Sequence, residues 1–376
     1  MKFNKKNPKH YIKILSYSSL FIFMFVITLI FKKPNNYIFL MGHQLSGNLG
    51  AFFEKKNEID YEVFYMTFNS KLSKNNENIL YFLNLKSIFY LLNSLAIISS
   101  HGIIFHSLIN KKKIKTIHIG HGVQTSVSDF TNSAYYKYTE VWLNSEFDKE
   151  ILEKDCMYTG NNLISTGYLK TQNIINNEKN KSEMKDNLNM LQKYILYAPT
   201  ATGKLINNSK ENFQFKNIEF LEKLNKLSSR FQYKTVIKLH YNNHEFENID
   251  LSILEYIRNS SNLIYFKDIA LKNFDDLLNI CDLLITDWSS IYVDYILLDK
   301  PMFFIDAPLR REEIIFSKYF DNEFIKRIDN FDVFEKAFID LNRDSKSFIY
   351  NDLKNIMFKN EYTSDILSKY MKRLEG

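Results

Sequence analysis

Hydrophobic and polar positions change rhythm several times along the chain. From Ile14 to Phe31 the run ILSYSSLFIFMFVITLIF carries no charge, and its 18 residues are just enough to cross a hydrocarbon core as a tilted helix or in a slightly thinned bilayer. A hydrophobic membrane helix is expected there. After Pro34, short β-branched and aromatic runs alternate with amphipathic stretches: YIFLMG (37–42), YEVFYMTF (61–68), IIFHSL (103–108), TIHIGH (116–121) and EVWLNS (140–145). That alternation predicts βαβ units and parallel sheets. A Lys- and Asn-rich stretch from Asn176 to Asn187 interrupts it, which puts a linker near 176–190. A second series follows: YILYAPT (194–200), YKTVIKLH (233–240), NLIYF (262–266), CDLLITD (281–287) and PMFFID (301–306). Helical spacing closes the chain from Phe331, in FDVFEKAFIDL and again in YTSDILSKYMKRL. The pattern predicts an α/β protein of two Rossmann-like lobes. Residues 1–34 form the membrane-anchoring segment, 35–186 the N-terminal lobe, 187–345 the C-terminal lobe and 346–376 the closing helices.

Length agrees, since 376 residues exceed one ordinary core and suit two. With 45% hydrophobic, 15% aromatic and 24% charged residues, the chain is neither disordered nor fibrous. The net charge of +6 is spread through segments such as Lys111, Lys112 and Lys113. That excludes a nucleic-acid binder and suits anionic lipid headgroups. Cys156 and Cys281 are the two cysteines and form no CxxC pair, so a reducing compartment is expected.

Lysines flank the apolar run on both sides: Lys2, Lys5, Lys6, Lys9 and Lys13 before it, Lys32 and Lys33 after. No small-residue cleavage site follows, so the segment is expected to persist. The heavier cluster precedes the run, and the positive-inside rule would then export everything after it. The two cysteines, expected in a reducing compartment, point the opposite way. The segment is therefore expected to lie shallowly, to enter as a re-entrant element, or to span with its N-terminus outside, leaving the catalytic body on the cytoplasmic side of the plasma membrane.

The chemistry concentrates between Asp268 and Ile305. An apolar strand (Leu283 to Thr286) ends in Asp287-Trp288-Ser289-Ser290 and runs into a helix. Ser289 or Ser290 is placed to cap that helix, leaving N–H groups and hydroxyls at the carboxyl end of a parallel strand, where phosphate binds. Alone, such a D-x-S-S reads as a plain capped helix. His118 with His121, and His240 with His244, have metal-like spacings but lack the HExxH glutamate and a third clustered ligand, so no metal site is expected. APTATGK (198–204) ends like a phosphate loop without its first glycine or its final Ser/Thr. Thr200 and Lys204 stay as loop candidates for phosphate. His101 and His106 read as core, and Asp275 and Asp276 as the acidic first turn of a helix.

The 268–305 block resembles the CDP-glycerol glycerophosphotransferases, the teichoic-acid primases and polymerases, whose hallmark runs strand, T-D-Y-S-S, a helix with Asp, then L-D-K-P. The match here is Thr286, Asp287, Trp288, Ser289, Ser290, Asp294, Leu298, Asp299, Lys300 and Pro301. Further blocks follow in the family's order: GHQLSGNLGAFFEK (42–55), HGVQTS (121–126), VWLNSEFDKEIL (141–152), STGYLK (165–170), ILYAPT (195–200) and VIKLH (236–240). The resemblance implies a GT-B-like architecture, with the nucleotide donor held by the C-terminal lobe and the acceptor entering from the N-terminal lobe and the membrane. It makes His121, in the place of the H-G-T-P histidine, the general base. It sets His240, in the place of the K-x-H-P histidine, beside the donor phosphates. Lys238, Thr286, Asp287, Ser289, Ser290 and Asp294 become donor-binding residues, and Asn48, Gly122, Gly167, Tyr168 and Lys170 acceptor or loop residues. A neutral imidazole suits the removal of a proton from an attacking hydroxyl, and donors with positive charge suit a diphosphate leaving group.

The sequence departs from the family where loops face the acceptor. T-P-L-K becomes Val123-Gln124-Thr125-Ser126, G-Y-P-R-N-D becomes Gly167-Tyr168-Leu169-Lys170-Thr171-Gln172, and the proline after the K-x-H histidine becomes Tyr241. The implied reaction is transfer of glycerol phosphate, or a similar polyol phosphate, from CDP-glycerol to a lipid-linked or polymeric glycan, with Mg²⁺ left open. Two alternatives remain: a GT-B glycosyltransferase using a nucleotide sugar, and a non-catalytic membrane scaffold of the assembly complex.

Overall fold

The computed structural model describes residues 8–30, 36–42, 45–68, 72–74, 76–104, 106–109, 113–120, 122, 134–199, 218–238, 251–271, 274–287, 289–305, 327–359 and 365–376. The chain forms two compact units. The first comprises Met1–His121, Ser128–Lys170 and Asn360–Gly376, the second Gly122–Val127 and Thr171–Lys359.

The first unit holds a seven-stranded sheet in the order β3-β2-β1-β4-β5-β6-β7, in which all the pairings are parallel. The strands are β1 (Tyr37–Met41), β2 (Glu62–Thr67), β3 (Ile79–Tyr81), β4 (Ala96–Ser99), β5 (Lys115–Ile119), β6 (Glu140–Leu143) and β7 (Leu163–Ser165). Side chains alternate across the pleat. Ile38, Leu40, Val63, Tyr65, Ile98 and Ile117 face one core, while Phe39, Met41, Phe64, Met66 and Ile97 face the other. A parallel sheet is buried on both sides, so each face needs helices over it.

The two ends of the chain supply much of that cover. On one face lie α2 (Gly47–Glu54) and the C-terminal helix, residues Ile366–Glu375. The C-terminal helix buries Ile366, Tyr370 and Leu374. Its Tyr370 ring lies 4.3 Å from the Trp142 ring, and its hydroxyl donates to the Gly167 carbonyl at 2.9 Å. On the other face lie α1 (Pro8–Ile30) and α3 (Leu85–Leu92), α1 contributing Tyr17, Phe21 and Met24 to the core.

Of the three arrangements expected for this segment, the membrane-crossing one is corrected. The helix forms, but its middle is packed against protein, because the sheet face carrying Phe39 and Phe64 would otherwise be bare. Among the described residues no helix is long and apolar enough to cross a membrane.

The second unit holds a six-stranded parallel sheet in the order β10-β9-β8-β11-β12-β13. Its strands are β8 (Lys193–Tyr197), β9 (Tyr233–Ile237), β10 (Leu263–Tyr265), β11 (Leu283–Thr286), β12 (Met302–Ile305) and β13 (Arg327–Ile328). Helices at Ile218–Arg230, Leu251–Asn259 and Phe331–Leu341 bring Leu224, Ile257, Phe334 and Phe338 against Ile195, Tyr197, Ile285 and Phe303.

Several sequence expectations shift. IIFHSL (103–108) is no strand: its described part includes a 3₁₀ turn at His106–Leu108, and the pairing falls to Ala96–Ser99 instead. The stretch read as a linker is helical, in Leu169–Glu178 and Lys181–Asn187, and the division between units falls at Lys170–Thr171. Its lysines are used internally. Lys181 and Lys185 reach the Asp282 carboxylate at 2.7 and 2.9 Å, and the Tyr194 N–H donates to it at 3.0 Å. Burial alone would raise that carboxyl, but these three partners hold it below its ordinary value.

Replacing Tyr370 with Ala removes the ring covering Trp142 and the bond to Gly167. A loss of about 3–5 kcal/mol of unfolding free energy is expected, measured by urea denaturation followed through Trp fluorescence.

Candidate active site

In an open α/β sheet the ligand crevice lies beyond the carboxyl ends of the strands, where the strand order reverses. In the second unit that point lies between β8 and β11, which pair through Ile195 with Leu283 and Tyr197 with Ile285. Three chain segments leave the sheet beside it. The Ala198 N–H donates to the Ile285 carbonyl at 3.0 Å, and the Lys238 N–H to the Tyr197 carbonyl at 2.9 Å. Lys238 therefore leaves β9 beside the end of β8, whose other neighbour, β11, leads into the Thr286–Ser290 turn. Its ammonium lies 4.5 Å from the centre of the Phe274 ring, a cation–π contact that sequence reasoning gave no sign of.

Capping by Ser290 is corrected here, and Thr286 has a structural partner. Thr286 is buried, and its hydroxyl donates to the Ala198 carbonyl at 2.8 Å. It pins β11 to the end of β8. Ser290 takes the position before the helix Ile291–Tyr295 with φ −64° and ψ −2°, and makes no side-chain cap bond. Asp287 ties the turn instead, its buried carboxylate accepting the Ser289 N–H at 3.2 Å. Ser289 is half-buried and Ser290 exposed, with Asp294 half-buried one turn further on. Only five residues are α-helical before a 3₁₀ turn. The helix dipole is accordingly short, and anion binding here would rest on hydroxyls, N–H groups and Lys238.

The rest of the hallmark is architectural. Asp299 adopts a left-handed conformation, φ 51°, and its carboxylate receives Lys354 at 2.7 Å. Lys300 is buried and donates to the carbonyls of Leu278 and Asn279 at 3.3 and 2.6 Å and to Glu178 at 3.0 Å. Burial lowers its ammonium to about 8.

In the first unit the corresponding reversal lies between β1 and β4, and β5 ends beside it at Gly120. Gly47 opens α2 with φ +59°, and the next residue, Asn48, is buried. Its amide donates to the Gly120 carbonyl at 2.6 Å, while its own Oδ1 is buried with no hydrogen-bond partner among the described residues. The buried Tyr168 phenol hydrogen-bonds the Gly120 backbone and is pushed well above its usual value by burial. Gly120 is thus held from two sides immediately before His121. Gly167 is left-handed, φ +80°, and Lys170 is half-buried. Asp148, not singled out by any motif, is buried and accepts the Asn144 N–H at 3.1 Å, closing the turn after β6.

His121, His240, Trp288, Thr200 and Lys204 lie outside the described residues, as do Val123 to Ser126 and Tyr241. Gly122 is described, and a Cβ there would meet open space. The described site residues fall into two sets, one at each sheet's carboxyl edge: Asn48, Gly167 and Tyr168 in the first unit, and Lys238, Thr286, Asp287 and Ser289 in the second.

The model of the CDP-Glycerol:Poly(glycerophosphate) glycerophosphotransferase family matches residues 20–323. The chain belongs to that family. It is 28% identical over 245 residues to the teichoic acid glycerol-phosphate primase of Bacillus subtilis (strain 168), covering 60% of this chain and 59% of the primase. It is 27% identical over 178 residues to the teichoic acid ribitol-phosphate polymerase TarL of Staphylococcus aureus (strain NCTC 8325 / PS 47), covering 44% of this chain and 29% of the polymerase. Among solved structures, the H444N variant of the wall teichoic acid polymerase TagF superposes with a TM-score of 0.69 at 18% identity, over 92% of this chain and 91% of that one. The UDP-GlcNAc 2-epimerase of Methanocaldococcus jannaschii gives 0.55 at 13%, over 90% and 99%. At these identities the likeness is one of fold, GT-B-like with two parallel sheets.

Thr286→Val keeps shape but loses the bond to Ala198, and about 1 kcal/mol of stability is expected to go with it, read by chemical denaturation. At Lys300 the folded pKa of about 8 lies below the unfolded value of 10.5. Below about 8 both states hold the proton, and the cost of burying the charge is fully present. Between the two values the unfolded chain binds the proton and the folded one does not, so stability from this site rises with pH. The unfolding free energy of the wild type should therefore gain on that of Lys300→Met across this window.

Proposed function

We propose that the protein transfers glycerol phosphate, or a similar polyol phosphate, from a CDP-activated donor to a membrane-linked glycan or polymer in teichoic-acid-like synthesis, releasing CMP. One observation carries this reading: Lys238, Ala198 and the Thr286–Ser290 turn leave the neighbouring strands β9, β8 and β11 at the same carboxyl edge of the second sheet, within the stretch that the family model matches. The names of the relatives support polyol-phosphate chemistry, glycerol in one and ribitol in another.

In this reading the second unit holds the donor and the first presents the acceptor. The acceptor oxygen bonds to the phosphorus carrying the polyol, the bridging P–O bond breaks, and CMP leaves. His121 takes the acceptor proton as general base. Asn48 and Tyr168 position it by fixing the Gly120 peptide. Charge developing on the departing CMP is met by Lys238, His240 and the Ser289 and Ser290 hydroxyls, since placement and electrostatics dominate phosphoryl transfer. Thr286 and Asp287 hold the turn that carries those serines. Mg²⁺, if it accompanies the diphosphate, would share that charge. Because nucleotide-activated polyols are cytoplasmic and the acceptor is membrane-linked, the body sits at the cytoplasmic face of the plasma membrane.

The test is CMP release by the purified protein with membranes of its own source, comparing CDP-glycerol, CDP-ribitol and UDP-sugars. Release from a CDP-polyol alone, lowered by about 10²–10⁴ in His121→Ala, is the expected result. Turnover of a nucleotide sugar without any from CDP-polyols would move the protein to the glycosyltransferases, and unaltered release in the variant would remove His121 as the base.

A further inference from the structure

Asn48 is the second residue of α2 (Gly47–Glu54), the helix that follows β1 at the carboxyl edge of the first sheet. It is 3% exposed, and its Nδ2 donates to the Gly120 carbonyl just past β5 at 2.6 Å. Because β4 lies between β1 and β5, the carboxamide reaches across the end of β4, in the crevice where the strand order reverses. Gly120 also fixes which way the amide faces. Turned over, it would set two carbonyl oxygens against each other, so Nδ2 takes Gly120 and Oδ1 points elsewhere. That Oδ1 is buried and accepts no hydrogen bond among the described residues. A buried acceptor left unpaired is destabilising, and a ligand that brings a donor to it removes the penalty.

The neighbouring groups decide which donor fits. Gly47, Asn48 and Leu49 form the first turn of α2, whose N–H groups have no acceptor within the helix. Ser46 before them makes no side-chain cap bond, and the turn holds no acidic residue. A Cβ at Gly47 would meet nothing within 4 Å, so the turn opens on space. N–H donors beside an unpaired acceptor suit an alcohol, which gives its proton to Oδ1 and receives an N–H on its own oxygen. A phosphate oxygen only accepts, and would leave Oδ1 unmet against negative charge. An ammonium would satisfy Oδ1 but oppose the N–H groups and the helix dipole.

The attacking hydroxyl gives its proton to the general base and cannot also donate it to Asn48. The alcohol at Oδ1 is then the neighbour of the one that reacts. We propose that Asn48 is a specificity-determining residue that reads a second hydroxyl beside the attacking one, so that the acceptor ends in a vicinal diol. This rests on the functional reading for placing the acceptor in the first unit.

The experiment compares two soluble probes, octyl glyceryl phosphate, which ends in a vicinal diol, and octyl 3-hydroxypropyl phosphate, which keeps the terminal hydroxyl and lacks its neighbour. With CDP-glycerol as donor, wild-type kcat/KM should be about tenfold to a hundredfold lower for the second probe, the effect of leaving one buried polar group unpaired. In Asn48→Ala the two probes should be used equally, and in Asn48→Asp, which retains an acceptor oxygen, the preference should return. Loss of the Gly120 bond slows both probes alike, so the ratio separates reading of the diol from a purely structural role. Calorimetric titration of the wild type with each probe, without donor, is independent of turnover and of how well a variant folds. Tighter binding of the diol is expected there. If that preference holds while CDP-glycerol is not turned over, the functional reading fails and the diol site stands. Equal binding of the two probes, or none, overturns the proposal and leaves a trapped water as the partner of Oδ1. A preference that survives in Asn48→Ala also overturns it.

Discussion

A parallel sheet must hide both faces from water, because its crossovers put apolar residues on either side. In the first unit, the helices on the two faces come in large part from the extremities of the chain. Residues 366–375 return after the whole second unit to seal the face around Trp142 and Tyr168. The apolar segment 8–30 seals the other, around Phe39, Phe64 and Phe82. This requirement explains why a stretch with the composition of a membrane span is partly enclosed in protein. It also leaves the loops at the carboxyl edges of the strands free for chemistry.

Those edges are built by backbone pinning. Thr286 fixes Ala198, Asp287 fixes Ser289, and Asn48 with Tyr168 fixes Gly120. Preorganised donors and charges contribute to phosphoryl transfer only if they are held before the substrate arrives. In this protein polar side chains at the two sheet edges do that holding. The hallmark between Thr286 and Pro301 thus divides by role. Its serines are half-buried and exposed, while Thr286, Asp299 and Lys300 secure the turn, the left-handed corner and a helix C-terminus.

The two lobes, their parallel strands and the carboxyl-edge position of the Asp287–Ser290 turn were legible in sequence, because buried strands leave unbroken β-branched and aromatic runs bounded by turn residues. Strands of two or three residues, such as Ile79–Tyr81, Leu163–Ser165 and Arg327–Ile328, are too short to print a period. The 176–187 stretch looked like a linker because Lys and Asn dominate it, yet Lys181 and Lys185 are drawn inward by Asp282, almost a hundred residues away. A hydroxyl's direction cannot be read from a motif, so the bond from Thr286 to the Ala198 carbonyl was not legible in it. Composition alone likewise could not tell a helix packed on protein from one surrounded by lipid.

The central claim, that a cytidine diphosphate donor is held at the carboxyl edge of the second sheet, is tested most directly by a crystal structure of the protein soaked with CDP-glycerol. Difference density for the diphosphate beside Lys238, Ser289 and Ser290 is the predicted result. Density at the opposite edge near Asp282, or none at saturating donor, would contradict it.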